Sequence, residues 1–266
     1  MYLFVWPLAA WLSVREAISW ALVILLLWAW YHARRRGRRL AGELAERNAM
    51  LEEKRRRGEQ LLLNILPQGV ANELTVRNQV AARRYERATV MFTDFVGFTQ
   101  VAERLTPEQL VADLHHCFSA FDQMIGRQRI EKIKTSGDAY ICACGLSDHN
   151  EHPADIVRLA QRMQAFMADF KQQRQAAGQA YFEARIGIHF GPVVAGVVGV
   201  RKFAYDIWGD TVNVAARLEA SGEPGRINVS RAVYELCQNG FDWEPRGQIA
   251  AKNKGDVEMF FLRPPA

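Results

Sequence analysis

The chain predicts an α+β fold in which a largely antiparallel sheet is covered by helices. Short apolar strands that end in turn residues, long segments with helical apolar spacing, and hairpins between them all predict this class. The 266 residues are enough for one domain of ordinary size with an additional N-terminal part. Cys117, Cys142, Cys144 and Cys237 show neither a disulfide framework nor a zinc spacing. We expect them to be small core residues in a reducing compartment.

The N-terminal residues 1–33 predict a membrane anchor. The chain is almost wholly apolar from Ala17 to Tyr31, which is short of the roughly 20 residues that span a bilayer. Extended back across Arg15 and Glu16 the apolar run is long enough, so one tilted helix and a span with an interfacial helix both remain open. Arginines follow the run instead of preceding it. This favours an inner (plasma) membrane protein with a cytoplasmic C-terminal part and disfavours a cleaved signal peptide.

Residues 34–66 predict a helical linker, for which a weak parallel coiled coil is favoured over a lone solvated helix. The segment is rich in Ala, Leu, Glu and Arg, and Pro67 ends it. Two seam positions of a heptad repeat fit the sequence: Ala41, Asn48, Arg55 and Leu62 at one, and Leu44, Leu51, Gly58 and Ile65 at the other. Polar residues in such a seam fix its register at a cost in stability. Residues 67–87 then read as a connector to the C-terminal domain.

Residues 88–266 predict that domain, and its elements follow in order. We expect a strand at 88–93, helices to about 125, a hairpin of 130–134 and 139–143, a helix at 153–176, strands at 183–190 and 193–198 around Gly191-Pro192, a helix after Gly209, a strand at 227–229, a helix at 231–238, and strands near 241–244 and 257–262.

One stretch, Tyr205 to Arg217, reads as a strand end, a Gly-Asp turn and the opening of a helix. Asp210 stands where an N-cap is expected. Asn213 and Arg217 are four residues apart, so they share one face of that helix. An amide and a guanidinium at a helix start indicate a site for a polar, anionic ligand.

Two further stretches place a carboxylate beside a tight turn. Glu131 to Tyr140 reads as a strand, a turn at Ser136-Gly137, and Asp138 at the start of the next strand. Val90 to Thr99 reads as an apolar strand that ends in Asp94, followed by a small loop before a helix. A single aspartate at a strand end is usually a turn former, but two such sites beside the Arg217 helix indicate a shared function.

Together the three stretches resemble the catalytic domain of class III nucleotidyl cyclases, over roughly Ala88 to Leu262 and in the expected order. The resemblance implies the ferredoxin-like variant of the fold. It also implies a membrane-anchored adenylate cyclase of bacterial type, which converts ATP to 3′,5′-cyclic AMP and pyrophosphate in intracellular signalling. The alternatives are a guanylate cyclase or a catalytically silent nucleotide-binding dimerisation module.

The resemblance assigns Asp94 and Asp138 to the two metal-binding positions of the family, and the backbone carbonyl of Phe95 joins them. In-line attack of the ribose 3′-hydroxyl on the α-phosphate uses two divalent ions about 3.5–4 Å apart. Hard ions require oxygen ligands such as carboxylates. We therefore expect two Mg²⁺ or Mn²⁺ ions per site.

Base selection is expected from Lys134 and Asp206, which match the pair that reads adenine in adenylate cyclases. A lysine donates to the ring N1 of adenine, and a carboxylate accepts from its exocyclic amine. Guanylate cyclases of this family typically carry an acid and a small polar residue at these positions. The pair therefore favours ATP over GTP.

The remaining substrate contacts also follow from the resemblance. Asn213 would orient the ribose, and Arg217 would stabilise charge that develops on the α-phosphate. Lys254 matches a family lysine near the β- and γ-phosphates, with Lys252 as the alternative. Free N–H groups of the loop before the first helix of the domain would hold the phosphates, at Val96, Gly97, Phe98 and Thr99.

The partners expected are ATP, a second copy of the chain and membrane lipid. In the family, one subunit supplies the metal aspartates and the other supplies the base and ribose residues. This chain carries both sets, which implies a homodimer with active sites at the subunit interface. The basic blocks flank the apolar N-terminus and lack interleaved aromatic residues, so we expect no nucleic-acid partner.

Overall fold

The computed structural model describes residues 6–126, 130–147, 152–199, 203–251 and 255–264, and within these ranges it omits the side chains of residues 6–15, 249–251 and 255. The helices are α1 (Trp6–Leu63), α2 (Gln68–Arg77), α3 (Phe98–Ala102), α4 (Pro107–Ile125), α5 (Pro153–Ala176), α6 (Asp210–Ala220) and α7 (Arg231–Cys237). The strands are β1 (Arg83–Val96), β2 (Ile130–Ser136), β3 (Ala139–Cys144), β4 (Glu183–Val198), β5 (Ala204–Trp208), β6 (Ile227–Ser230), β7 (Trp243–Ala251) and β8 (Gly255–Leu262). The chain divides into two compact units, residues 1–71 and 72–266.

Helix α1 dominates the first unit and runs for 58 residues without a break. The predicted anchor and the predicted linker are therefore parts of one helix, which continues through Arg15 and Glu16. No proline interrupts it between its first turn and Pro67. Among the described residues, it is the one helix that is long and apolar enough to cross a membrane, judged by length and composition alone.

The second unit is built on a sheet with the strand order β2-β3-β1-β4-β6-β8-β7. Strand β5 pairs with the C-terminal part of β4, residues 194–198. All strand pairs are antiparallel except β4 and β6, which run parallel. The predicted α+β class with helices on the sheet is confirmed. The sheet is mixed because the chain crosses over through α6 between β5 and β6 before it pairs with β4 again.

The expected turn at Gly191-Pro192 is wrong, because β4 is a single strand of 16 residues. Its partner β1 begins at Arg83, five residues before the predicted start, and contains a bulge. Glu86 and Arg87 of β1 lie opposite Pro192 alone. A bulge leaves a residue outside the hydrogen-bonded ladder, so the sheet accommodates a proline that has no N–H to donate.

The two faces of this sheet differ in what covers them. One face carries the main core, where Met91, Phe95 and Ile188 pack with buried side chains of α4, α5 and α7. Phe92 and Asp94 alternate with those residues along β1 and so lie on the opposite face. Helix α6 packs on that second face.

Gly187 of β4 brings α6 unusually close to the sheet. A Cβ atom at Gly187 would lie 2.1 Å from the backbone nitrogen of Glu219 and 2.5 Å from the carbonyl oxygen of Ala215. Only glycine fits this approach. Arg185 is two residues away on the same face of β4, so the close packing sets Glu219 beside it.

Candidate active site

Asp94 and Asp138 meet where β1 ends and β3 begins. Thr93 pairs with Tyr140 across these strands, which brings the Gly137-Asp138 turn beside Asp94. Asp138 is the second residue of this two-residue turn, and Gly137 has a φ of +64°, a left-handed conformation that favours glycine. Partial burial and the neighbouring Asp94 carboxylate raise the pKa of Asp138. Two carboxylates therefore face each other at one edge of the sheet.

Arg185 holds Asp94 in place from the neighbouring strand. Its Nη2 donates to Asp94 Oδ2 at 3.0 Å, and its Nη1 donates to the carbonyl of Ala220 at 3.2 Å. Its Nε also lies 2.5 Å from Oε1 of Glu219 on α6. Burial and the Asp94 carboxylate raise the pKa of Glu219 to about 7. Three carboxylates and one guanidinium thus cluster at this position.

The Asp94–Asp138 pair fits a divalent cation by the chemistry of its donors. Adjacent carboxylates repel each other when both are charged, and the raised pKa of Asp138 reflects burial and this repulsion. A hard cation would relieve the repulsion by accepting oxygen ligands from both. The described residues contain no group of three His, Cys, Asp or Glu side chains with metal-ligand geometry. Phosphate and water oxygens would complete the coordination of any metal bound here.

Lys134 and Asp206 form an ion pair between β2 and β5, with Nζ and Oδ2 2.5 Å apart. The other carboxylate oxygen of Asp206 accepts from the backbone N–H of Ile207 at 2.9 Å, so this side chain is fixed at both oxygens. A register shift in β2 leaves Ile133 outside the ladder between Lys132 and Lys134. This bulge turns Lys134 to the sheet face opposite to that of Lys132.

A cavity of about 320 Å³ opens beside this pair. Phe92, Ile141 and Val212 line it together with Lys134 and Asp206. The apolar side chains suit the faces of a flat ring, and the ion pair supplies a donor and an acceptor at one side. Lys134 is 46% exposed, so a ligand in the cavity reaches its ammonium group directly.

A second contact between β2 and β5 supports the ion pair. The hydroxyl of Tyr205 donates to Oε2 of Glu131 at 3.2 Å. Tyr205 precedes Asp206, and Glu131 lies three residues before Lys134 in the chain. The two strands are therefore joined at two places, which restricts how far Lys134 and Asp206 move apart.

Helix α6 carries Asn213 and Arg217, as the spacing predicted. Asn213 is exposed and Arg217 is half-buried, one turn apart. The predicted N-cap at Asp210 is wrong: the helix begins at Asp210, and Gly209 is its cap, with a φ of +138° and no side-chain hydrogen bond. Glycine is favoured at that φ, so the cap position is set by backbone conformation.

The loop between β1 and α3 lies directly after the Asp94 strand end. Val96 ends β1, Gly97 caps α3 with a φ of +66°, and Phe98 and Thr99 begin that helix. Phe95 is buried, and its ring stacks on that of Phe182 with centroids 5.0 Å apart. A larger cavity of about 870 Å³ adjoins Val96 and Gly97, but neither Asp94 nor Asp138 lines it, and neither does the Lys134–Asp206 pair.

Lys254 and its alternative Lys252 lie outside the described residues.

Arg185 and Glu219 were not predicted as site residues. Arg185 forms an ion pair with Asp94, and Glu219 lies close enough to Asp94 for the two carboxylates to interact. The signal available for Arg185 was its charge, because it stands between the apolar residues Ala184 and Ile186 in β4.

The family profile described as the adenylate and guanylate cyclase catalytic domain matches residues 80–264. The chain belongs to this family. The class III cyclase domain covers the whole sheet with its helices and includes Asp94, Asp138 and the cavity beside Lys134 and Asp206. Class III cyclases are metal-dependent, which agrees with the donor chemistry of Asp94 and Asp138.

Relatives of both substrate classes resemble this cyclase. An adenylate cyclase from Mycobacterium bovis is 39% identical over 225 residues, which are 83% of this chain and 49% of the relative. The receptor-type guanylate cyclase gcy-23 from Caenorhabditis elegans is 38% identical over 224 residues, which are 82% of this chain and 21% of the relative. The chain thus spans about half the length of the first and about a fifth of the second. The similarity establishes a nucleotidyl cyclase domain.

A solved structure has the same fold. The adenylyl cyclase CyaB from P. aeruginosa superposes with a TM-score of 0.65 at 28% sequence identity. The match covers 70% of this chain and 97% of that chain. The class III catalytic fold therefore accounts for the second unit of the chain.

Proposed function

We propose that the chain is a membrane-anchored adenylate cyclase that converts ATP to 3′,5′-cyclic AMP and pyrophosphate and works as a homodimer. The observation that carries the choice of ATP is the Lys134–Asp206 pair beside an apolar cavity. A cationic donor next to an anionic acceptor complements N1 and the exocyclic amine of adenine. Guanine presents a donor at N1 and an acceptor at O6, so the same pair opposes it.

In this proposal Asp94, Asp138 and the carbonyl of Phe95 hold two divalent cations. When bound, such ions supply activation of the 3′-hydroxyl and neutralisation of the triphosphate. Arg185 keeps Asp94 oriented through its 3.0 Å hydrogen bond. Glu219 in turn fixes Arg185 by their ion pair. Mg²⁺ and Mn²⁺ both suit these oxygen donors.

The substrate groups are assigned to separate side chains. Asn213 orients the ribose, and Arg217 donates toward charge that develops on the α-phosphate during in-line attack. Backbone N–H groups of the loop from Val96 to Thr99 bind phosphate oxygens. Lys254 is assigned to the β- and γ-phosphates. Each of these groups binds or orients the ATP. The ATP itself supplies the nucleophile, its 3′-hydroxyl, and the leaving group, pyrophosphate.

The dimer and the domain boundaries belong to the same proposal. Residues 1–33 form the anchor, 34–66 the coiled coil, 67–87 the connector and 88–266 the catalytic domain. Each active site takes Asp94 and Asp138 from one subunit and the base and ribose residues, together with Arg217, from the other. Anchoring in the inner membrane with a cytoplasmic catalytic domain raises the local concentration of partners.

Nucleotide turnover by the purified full chain tests this proposal. ATP and GTP are supplied in parallel with Mg²⁺ or Mn²⁺, and both cyclic products are measured. We expect cyclic AMP from ATP and little cyclic GMP from GTP. A preference for GTP would keep the cyclase assignment and overturn the base assignment. Absence of both cyclic products from a verified dimer would favour a silent nucleotide-binding module.

A further inference from the structure

The excess of positive over negative charge in this chain corresponds to one block of helix α1. The whole chain has 34 basic and 29 acidic residues, a formal net charge of +5. Residues 32–42 contain five arginines and no acidic residue. The following residues 43–60 contain five acidic and five basic residues, so their charges cancel. The block alone therefore equals the net charge of the chain.

The two basic blocks of α1 also differ in their contacts. In the second block, Arg56 and Arg57 pair with Glu53 at 3.1 and 2.8 Å, and Arg55 pairs with Glu59 at 3.3 Å. Within the part of the chain that the structure describes, the first block has no ion pair to a carboxylate. The members of this arginine block are Arg34, Arg35, Arg36, Arg38 and Arg39. The second block is neutralised within its own helix, whereas the first lacks a counter-charge.

The arginine block lies directly after an exposed apolar surface. Large side chains between Ile18 and Tyr31 are exposed, and Leu26 is 69% exposed. Aromatic rings mark the border: the guanidinium of Arg34 lies 5.0 Å from the ring centre of Trp30, and Trp28 contacts His32 with centroids 4.4 Å apart. Tryptophan beside arginine at the end of an apolar helix is typical of a membrane interface.

The dimensions of the block match a layer of lipid headgroups. Six helical residues, from Arg34 to Arg39, rise by about 8 Å along the axis. The polar layer on each side of a bilayer is roughly 5–8 Å thick. If the apolar segment is inserted, all five guanidinium groups lie within this layer at once. Guanidinium groups bind phosphate through paired N–H donors.

From these observations we propose that the arginine block is a binding surface for anionic phospholipid headgroups. The inference rests on the membrane anchor in the proposed function and adds a preference for lipid charge. Each arginine near an anionic surface favours association by roughly fivefold. The block at residues 54–57 contributes much less, because its arginines pair with Glu53 and Glu59 and the acidic residues of 43–60 balance the basic ones.

Lipid retention by the full chain tests the proposal. The protein is reconstituted into vesicles of phosphatidylcholine alone or of equimolar phosphatidylcholine and phosphatidylglycerol, and its flotation is measured. It is then extracted in mild detergent, and the retained lipids are quantified by mass spectrometry. The test variant changes the five arginines of the block to Gln. The matched control changes five other cations of α1 to Gln: Arg47, Lys54, Arg55, Arg56 and Arg57.

We expect the retained lipid of the wild type and the control to be enriched in phosphatidylglycerol by about fivefold or more. The test variant should retain the two lipids in their input ratio, and 1 M salt should reduce the enrichment in the wild type. The proposal would be overturned if the wild type retained the two lipids in their input ratio, or if the test variant still retained an excess of phosphatidylglycerol. Binding of a 20-nucleotide RNA without lipid enrichment would also overturn it.

Flotation separates this proposal from the membrane anchor. A chain that floats with phosphatidylcholine alone, but retains no excess of anionic lipid, supports the anchor and contradicts the headgroup site. A chain that floats only with anionic vesicles, and is released by salt, contradicts the spanning anchor and supports the headgroup site. A chain that floats with neither composition contradicts both.

Discussion

Arg185 donates a hydrogen bond to Asp94 across the β1–β4 pair, with Nη2 and Oδ2 3.0 Å apart. The two residues are direct partners in the strand register, although 91 positions separate them in the chain. Arg185 also contacts Glu219 of α6, so one guanidinium links two strands and a helix. The position of the Asp94 carboxylate therefore depends on three elements of the fold.

We expect Arg185→Gln to lower kcat/KM for ATP by about 10–100-fold, because a residue that orients a metal ligand typically has effects of this size. Arg185→Lys keeps the charge but loses the forked geometry, so it should recover only part of the activity. Activity is measured across a Mg²⁺ titration. Arg226→Gln is the control, since Arg226 forms a 2.7 Å ion pair with Glu244, which is not among the site residues. Equal losses in both variants would assign Arg185 a purely structural role.

Asp138→Asn should abolish metal-dependent turnover without lowering the stability of the metal-free protein. Burial and the Asp94 carboxylate raise the pKa of Asp138 in the fold. A raised carboxyl pKa destabilises the folded state above the unfolded pKa, and a neutral amide removes this cost. Thermal unfolding in EDTA at pH 7 should therefore give a Tm equal to or above that of the wild type. A clear decrease in Tm would show that the Asp138 charge stabilises the fold.

The shared active site of the proposed dimer predicts complementation between two inactive variants. Asp94→Ala removes a metal ligand, and Arg217→Ala removes the group assigned to the α-phosphate. Each homodimer then has two defective sites, but a heterodimer has one site with both defects and one intact site. Random mixing should restore about a quarter of the wild-type activity, because half of the dimers carry one intact site. A mixture that exchanges subunits and stays inactive would contradict the shared site.

Lys134→Ala should lower kcat/KM for ATP by about 100-fold, the effect of losing a charged hydrogen bond to the substrate. Activity with GTP should fall much less, so the preference for ATP over GTP should decrease. Lys132→Ala is the control on the same strand, since Lys132 faces the other side of the sheet and pairs with Asp122 at 2.8 Å. Equal losses with ATP and GTP after Lys134→Ala would remove the basis for adenine selection.

Lys134 and Asp206 were chosen from their match to the base-reading pair of the cyclase family. Local sequence patterns pointed to Asp94 and Asp138, because each lies at a strand end beside a turn. Helix α5 and the β2–β3 hairpin were predicted for the same reason, from patterns contained within the element. Arg185 was missed because its contact with Asp94 depends on a register between distant strands.

The error in β4 has a related cause. Gly191-Pro192 is typical of a turn, and the compensating bulge lies in β1, about a hundred residues earlier in the chain. Similarly, the left-handed cap at Gly209 displaced Asp210 from the position that its side chain favours. The sequence shows where a glycine or a proline favours a break in a strand. Whether the strand breaks there or continues opposite a bulge depends on the partner strand.

The close approach at Gly187 links the stability of the domain to its active site. Gly187→Ala places a Cβ atom 2.1 Å from the backbone nitrogen of Glu219, so α6 must move away from β4. We expect the free energy of unfolding to fall by about 2–3 kcal/mol and the Tm by roughly 5–10 °C. Below the Tm, the displaced α6 should also reduce activity, because Glu219 no longer reaches Arg185. Gly240→Ala is the control, since a Cβ atom there meets nothing within 4 Å. An unchanged Tm for Gly187→Ala, measured by circular dichroism, would mean that α6 is not packed on β4 at this distance.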